Sequence, residues 1–414
     1  MLKRFKPKSE FTRNVLTLMT GTTIAQAIPI AISPILTRIY SPEDFGVFAL
    51  YMSLASILSV IATGRYELAI MLPKKDGDAK SLVVLSILIT IGVTFLSFVL
   101  IYLFHDKLVQ LLDNESISIW LYFVPLSVLL TGVYQSLNFW YNRKKQYKLL
   151  SISKVTQTST TATINLGMGF SKFGSSGLIL GFLLGQIASI FILKIKLSEF
   201  ILNRKKMIIL AKKYKKLPLY NLPNAIVDTF RMSGITILIA KFFTTSTLGQ
   251  FSLAWRMLQA PMSLVGSSLS QVFFQQTSQA KRDELYNIVK KFIIKSSLIS
   301  LPLFLIIYFF ASDIFMIVFG SKWMMAGEVA SALSPWLFFN FITSPLSTIF
   351  ITINRQETLL LFAIFYAVLP LGLIYCFHSL DFIELLHYLS FLMSALLAIF
   401  IGLVLYLSRK QDEK

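Results

Sequence analysis

Residues 81–104 read SLVVLSILITIGVTFLSFVLIYLF, a stretch with no Lys, Arg, Asp, Glu or His, bracketed by Lys74, Lys75 and Lys80 before it and His105, Asp106 and Lys107 after it. As a helix it rises about 1.5 Å per residue and covers about 36 Å, enough to cross a hydrocarbon core of about 30 Å. The same pattern recurs along the whole chain. Twelve such spans are expected: near 14–37, 45–72, 81–104, 117–140, 153–171 and 174–193 in the first half, and near 217–240, 248–275, 288–311, 328–352, 357–377 and 384–407 in the second. Composition agrees, since 55% of residues are hydrophobic and 14% are charged, against about 25% charged in soluble domains. The expected class is an all-α integral membrane protein.

The cations orient the spans. Of 39 Lys and Arg, 31 fall before Asn14, in 74–80, 143–154, 194–216, 281–295, at Arg355 and after Ser408, which is every second gap. Cytoplasmic loops carry the Lys/Arg excess, so these gaps face the cytoplasm and both termini lie inside. The intervening gaps hold only Arg38, Lys107, Lys172, Lys241 and Lys322. The net charge of +19 therefore reads as topology and contact with anionic lipids, and nucleic acid is not an expected partner. The basic start, Lys3, Arg4, Lys6 and Lys8, imitates a secretory signal, but the apolar run is too long and lacks a cleavage site, so retention as the first span is expected. A lone Cys376 with His105, His378 and His387 supplies neither an internal disulfide nor a metal cluster. No nucleotide-binding glycine loop and no hydrolytic constellation are found, so no cofactor, no metal and no catalytic residue is expected.

The chain repeats itself. Residues 36–53, LTRIYSPEDFGVFALYMS, align with 239–256, IAKFFTTSTLGQFSLAWR, matching Arg38 with Lys241, Gly46 with Gly249, Phe48 with Phe251 and Leu50 with Leu253. Six spans per half make the halves parallel repeats. The expected organisation is a six-helix lobe over 1–193, a basic amphipathic cytoplasmic linker over 194–216 and a second six-helix lobe over 217–414, the lobes enclosing a central cavity. Prolines inside spans, among them Pro29, Pro34, Pro223 and Pro302, permit bends.

Charged side chains inside spans are costly and mark function by default. Arg65 is expected about 13 Å up the second helix from its cytoplasmic end, with Glu67 beside it; snorkelling or pairing with Glu67 is the plainer account. Asp228 and Arg231 share one face of the seventh helix and read equally as a structural ion pair. Arg256 heads a polar stripe on the eighth helix with Ser252, Gln259, Ser263, Ser267 and Ser270. Arg38 and Lys241 are anchors or a gate. Asn165 and Gln186 are further polar candidates for the cavity wall, and Thr156, Thr160, Thr163 and Gly167 for a close-packing face. Guanidinium forks match phosphate oxygens and keep their charge, so an anionic phosphate headgroup is the expected ligand of Arg65, Arg231 and Arg256. Asp228 and Glu67 are where proton or sodium coupling would reside.

LTRIYSPEDFGVFALYMSL (36–54), GRYELAIMLPKKDGDA (64–79) and GLILGFLLGQ (177–186) resemble the polysaccharide transporter branch, the Wzx-like O-unit flippases, of the multidrug/oligosaccharidyl-lipid/polysaccharide flippase superfamily. That resemblance implies a non-enzymatic flippase of a bacterial cytoplasmic membrane, moving an undecaprenyl diphosphate-linked glycan, an O-antigen, capsule or exopolysaccharide repeat unit, from inner to outer leaflet by alternating access. A glycan polymerase and a chain-length regulator are the partners it suggests. Its arginine-lined cavity maps onto Arg65 through a motif, whereas Arg231 and Arg256 rest on the residue reading alone. The alternatives are a multidrug cation extruder of the same superfamily, which needs buried acids more than arginines, and a membrane glycan polymerase or ligase, which needs a long outer loop.

Overall fold

In lipid, backbone N–H and C=O groups must be satisfied within the chain, which favours helices wherever the sequence stays apolar. In the computed structural model, which describes residues 10–193, 203–280, 284–353 and 355–412, every regular element is helical. The helices are α1 (Glu10–Ile39), α2 (Pro42–Ser59), α3 (Asp76–Leu112), α4 (Ser118–Leu121), α5 (Val124–Arg143), α6 (Tyr147–Phe170), α7 (Ser175–Ile192), α8 (Arg204–Lys213), α9 (Lys216–Phe242), α10 (Thr245–Gln279), α11 (Leu285–Phe319), α12 (Met324–Leu346), α13 (Ile349–Thr352), α14 (Gln356–Cys376) and α15 (Phe382–Asp412). All but α4, α8 and α13 are long, and these long helices coincide with the expected spans. Among the described residues six helices are long and apolar enough to cross a membrane, and the bent pair of Glu115–Leu121 and Val124–Arg143 makes a seventh span if it counts as one. The others, such as α6, α9 and α10, carry the polar residues that lower their hydropathy. Large apolar side chains, among them Phe95, Leu103, Phe191, Ile299, Phe309 and Phe391, are exposed, as lipid-facing surfaces require. The basic tail Lys3 to Lys8, the linker's first cations Lys194 and Lys196, and Lys281 and Arg282 lie outside the described residues.

Among the described residues four spans depart from straight helices. The second ends at Ser59, and residues 60–65 form a turn before a 3-10 helix at Tyr66–Met71. The third, α3, kinks at Phe104, where φ is −115° and ψ is 15°. The fourth bends by 50° at Tyr122–Phe123, just ahead of Pro125, whose missing N–H is harmless in the first turn of α5. The tenth breaks between Leu346 and Ile349.

The internal repeat reappears in the turn chemistry. Ser41 caps α2 by accepting from the Asp44 N–H at 3.2 Å, and the Asp44 carboxylate returns a bond to the Ser41 N–H at 2.9 Å, a capping box with Pro42 at the first helical position. Thr244, at the aligned position, caps α10 by accepting from the Thr247 N–H at 3.1 Å. Phe48 and Phe251, and Leu50 and Leu253, are buried in pairs. The likeness extends further along the chain: both α3 and α11 lead through a left-handed residue, Asp113 or Gly320, into a 3-10 turn at Glu115–Ile117 or Ser321–Trp323.

Contacts divide the chain into Met1–Ser233 and Gly234–Lys414. In the first unit α7 lies against α6 along Gly177, Gly181 and Gly185. A Cβ on Gly185 would stand 2.8 Å from the Gln157 carbonyl oxygen, and one on Gly177 would stand 3.0 Å from the Met168 Cβ. Buried Ser153 donates across the seam to the Ser189 carbonyl at 2.9 Å. The glycine pattern of GLILGFLLGQ is thus a close-packing stripe. Its partner face on α6 runs through Gln157, Thr161 and Asn165, not through Thr156, Thr160, Thr163 and Gly167; Thr163 and Gly167 are exposed, and a Cβ on Gly167 would touch nothing within 4 Å. The described part of the linker, α8, is docked on this unit: Met207 and Leu210 are buried, Ile208 and Ile209 exposed, and Leu210 packs with Ala69, Ile70, Leu82 and Trp140.

In the second unit α12 is central, packing on α10, α11 and α15. A Cβ on Gly327 would stand 2.6 Å from the Ala311 carbonyl oxygen, so only glycine lets α11 and α12 approach there. Buried Gln250 joins α10 to the start of α12, donating to the Lys322 carbonyl at 2.7 Å and accepting from the Ala326 N–H at 3.0 Å.

Candidate functional site

Arg65 does not stand on a helix. Gly64 and Arg65 take left-handed backbone angles in succession, with φ of 58° and 62°. Glycine adopts this without penalty, whereas an arginine there costs on the order of 1 kcal/mol or more. The expected height of Arg65 above the cytoplasmic end of an unbroken helix is therefore corrected: the chain turns at residues 60–65, and no helical rise applies. The turn sets Arg65 over Glu67, with Nη1 3.6 Å from the Glu67 carboxylate. Glu67 is 1% exposed and also accepts from the Thr63 hydroxyl. The Arg65 side chain is 26% exposed, while its Nε is buried and without a hydrogen-bond partner among the described residues. A buried carboxylate beside a guanidinium with a spare donor is a site in which a second anion finds an N–H group already desolvated.

The turn is braced from below. Arg143 at the end of α5 donates from Nη1 to the Ile70 carbonyl at 3.2 Å and the Met71 carbonyl at 3.3 Å, and its Nε lies 3.1 Å from Asp76, which also binds Lys144 at 2.7 Å. Tyr66, next to Arg65, donates to the Ala211 carbonyl on α8 at 3.2 Å, and Lys206 of α8 pairs with Asp78 at 2.7 Å. Sequence reasoning counted Arg143 only as a topological cation and passed over Asp76, Tyr66 and Thr63. The available signal was the pair of acids, Asp76 and Asp78, inside a loop otherwise basic.

Asp228 and Arg231 do meet, at 2.8 Å across one turn of α9. Arg231 is 13% exposed and also reaches the Met232 sulfur at 3.2 Å, whereas Asp228 is 74% exposed. On α10, Arg256 and Gln259 are half-buried and Ser263 is exposed, while Phe251, Ala254 and Leu258 are buried, so the polar stripe is set apart from the packed face. Ser263 donates back to the Ala260 carbonyl at 2.9 Å; the side chain of Ser267 lies outside the described residues. Arg38 is exposed and donates to the Pro34 carbonyl at 2.6 Å, and Lys241 is exposed with its ammonium 5.7 Å from the centroid of the Phe242 ring. Both close the last turn of a helix, α1 and α9, where a cation complements the dipole.

Asn165 and Gln186 are buried inside the first unit. In the orientation that satisfies both of its polar atoms, the Asn165 amide nitrogen donates to the Thr161 and Gly177 carbonyls at 3.1 Å each, and Tyr40 donates to its backbone carbonyl at 2.6 Å. Gln186 donates to the Thr131 hydroxyl at 3.2 Å. These bonds account for both residues as packing glue. Among the described residues no three His, Cys, Asp or Glu side chains converge.

Arg65 and Arg231 each carry a carboxylate, and of these two pairs that of Arg65 holds the buried acid, the strained backbone and the incompletely bonded guanidinium. Residues 35–328 match the family described as polysaccharide biosynthesis protein. No curated protein matches the chain. Among solved structures the fold is similar to lipid II flippase MurJ in an inward closed conformation, at a TM-score of 0.76 and 15% identity over 95% of this chain and 87% of that one. It is similar also to an inward-facing multidrug resistance MATE family transporter, at 0.69 and 13% over 93% and 95%, and to a MOP superfamily transporter from Pyrococcus furiosus, at 0.56 and 14% over 95% of each chain. At these identities the likeness is one of fold. With a family match running through most of its length and this architecture around it, the chain is a multi-pass membrane protein that belongs to the polysaccharide biosynthesis protein family and has the fold of MOP superfamily transporters.

Proposed function

We propose that this protein is a flippase for a polyprenyl diphosphate-linked oligosaccharide, of the undecaprenyl type used for O-antigen, capsule or exopolysaccharide, and that it carries the unit from the inner to the outer leaflet of a bacterial cytoplasmic membrane with both termini inside. The observation that carries the reading is Arg65: a guanidinium on a left-handed turn with its Nε desolvated and unbonded among the described residues. Arginine donors of this kind suit a diphosphate. The polysaccharide family match and the likeness in fold to a lipid II flippase support the cargo class. Arg231 and Arg256 are assigned to the same anion. Arg38 and Lys241 are assigned to the outer rim, and a glycan polymerase and chain-length regulator to the next steps.

No bond is made or broken. The diphosphate binds the arginines, the sugars occupy hydrated space, the lipid tail stays in the bilayer, and alternating access exposes the unit outward. With the inside negative, outward movement of each uncompensated negative charge is favoured by about 2.3 kcal/mol per 100 mV. Glu67 and Asp228 are the positions through which a proton or sodium ion would couple.

The likeness in fold to a multidrug transporter favours a second reading, cation extrusion. That chemistry needs buried carboxylates free to take a cation, and Glu67 and Asp228 each face an arginine. Proteoliposomes loaded with a fluorescent polyprenyl diphosphate oligosaccharide and, in parallel, with a lipophilic cation decide between them. The flippase reading expects movement of the lipid that Arg65→Ala abolishes and Arg65→Lys weakens. Cation transport without lipid movement would replace it by the extruder reading.

A further inference from the structure

The second unit carries a groove of about 770 Å³ that the transport reading does not use. It lies between one face of α10, running from Val265 and Leu269 to Gln276 and Gln279, and one face of α11, running from Glu284 through Lys291 and Lys295 to Ile299, with Phe341 of α12 at its base. The two helices touch little compared with the tight α11–α12 packing, which leaves the groove open between them.

Its lining is graded. Along α10 the lining passes from apolar Val265, Leu269 and Val272 to Gln276 and Gln279; along α11 it passes from Ile299 through Lys295, Phe292 and Lys291 to Glu284, so the two lysines flank an apolar ring and the Gln279–Glu284 end is polar. Val265, Val272 and Ile299 are exposed, an apolar surface that suits an acyl chain. The polar end falls at headgroup level, because the 24 residues that follow Lys295, as far as Phe319, rise about 36 Å, close to the thickness of a hydrocarbon core. In the orientation proposed above, on which this step rests, this end is on the cytoplasmic side, where anionic lipids concentrate. Lys291 and Lys295 are one turn apart, about 6 Å along the axis, so both ammonium groups can reach one phosphate. Neither has an ion-pair partner among the described residues, and Glu284 alone opposes them at the rim, leaving the lining net positive.

We infer that this groove is a binding site for an anionic glycerophospholipid of the inner leaflet. The headgroup phosphate sits between Lys291 and Lys295, with Gln276 and Gln279 as neutral donors, and one acyl chain lies along Leu269, Val272 and Ile299. The occupant is a bilayer lipid rather than the transported unit, because the site pairs exposed apolar side chains with compact ammonium point charges rather than guanidinium forks.

The test uses the full chain in nanodiscs of phosphatidylcholine doped with phosphatidylglycerol, with the lipids retained read by native mass spectrometry. Lys291→Ala with Lys295→Ala is expected to weaken retention of the first phosphatidylglycerol roughly thirtyfold. Lys212→Ala with Lys213→Ala, equal in charge on exposed positions of α8, is expected to leave it unchanged. Ile299→Trp, which fills the groove and keeps both lysines, is expected to weaken retention as well. Equal losses from the two lysine pairs would reduce the site to general surface potential and overturn the inference, as would no loss from either. In a parallel preparation doped equally with undecaprenyl phosphate and phosphatidylglycerol, preferential retention of undecaprenyl phosphate would overturn the assigned occupant.

Discussion

Replacing Arg65 by Ala has two consequences that a single variant confounds. Glu67 is 1% exposed, and removing the guanidinium 3.6 Å away leaves a buried carboxylate that, among the described residues, keeps the Thr63 hydroxyl as its partner. Breaking a buried pair this way costs about 3–5 kcal/mol, and at about 2–4 °C per kcal/mol for a unit of this size the unfolding midpoint should fall by roughly 6–20 °C. The relief of the left-handed strain at residue 65 is small, since alanine is no better suited to that angle. The companion variant Arg65→Ala with Glu67→Gln removes both charges, and most of the lost stability should return. Transport should not return, because the group that grips the diphosphate is still missing; a charge-assisted hydrogen bond of about 1.5–3 kcal/mol corresponds to a loss of roughly 10- to 150-fold. The assay is lipid translocation in proteoliposomes at matched protein, with midpoints measured in the same preparation. If the double variant recovers transport along with stability, Arg65 serves only to neutralise Glu67, and the phosphate-binding role is refuted.

Three further outcomes follow from the packing. Gly185→Ala forces a Cβ to 2.8 Å from the Gln157 carbonyl oxygen and should destabilise the first unit by about 1–3 kcal/mol, whereas Gly167→Ala, in open space, should be neutral or stabilising by up to about 1 kcal/mol; equal midpoints would contradict the α6–α7 register. Gln250→Ala leaves the Lys322 carbonyl and the Ala326 N–H unbonded and should cost roughly 2–4 kcal/mol in thermal unfolding, while Gln250→Glu, which keeps only the acceptor, should show a loss of its own. Ser41→Ala and Thr244→Ala remove aligned caps and should each cost about 1 kcal/mol; a loss at one and none at the other would deny their equivalence.

How much of this was legible beforehand differs by residue. The i,i+3 pairing of Asp228 with Arg231 could be read directly, because helical spacing alone brings those groups within reach. The aligned caps at Ser41 and Thr244 were within reach too, since cap chemistry is local. The turn at Gly64–Arg65 was not. Nothing in GRYELAIM forbids a continued helix, and the break is held by partners distant in sequence: Arg143 on the Ile70 and Met71 carbonyls and Tyr66 on Ala211. Asn165 and Gln186 read as cavity polar groups because their burial against Gly177, Gly181 and Thr131 depends on how α6 and α7 are rotated, and a helical wheel does not state that rotation. The same holds for the glycines, of which Gly185 is a contact and Gly167 is not.

By itself, then, the chain's order of residues determined the helical class and the places of the long helices. Lipid leaves an apolar run of this length little alternative to a helix, and flanking Lys and Arg act locally on orientation. The tertiary structure alone decided where helix two ends and which face of α6 meets the glycine stripe. Those outcomes are set by close contacts between segments far apart in the chain, and such contacts leave no periodic trace in any one of them.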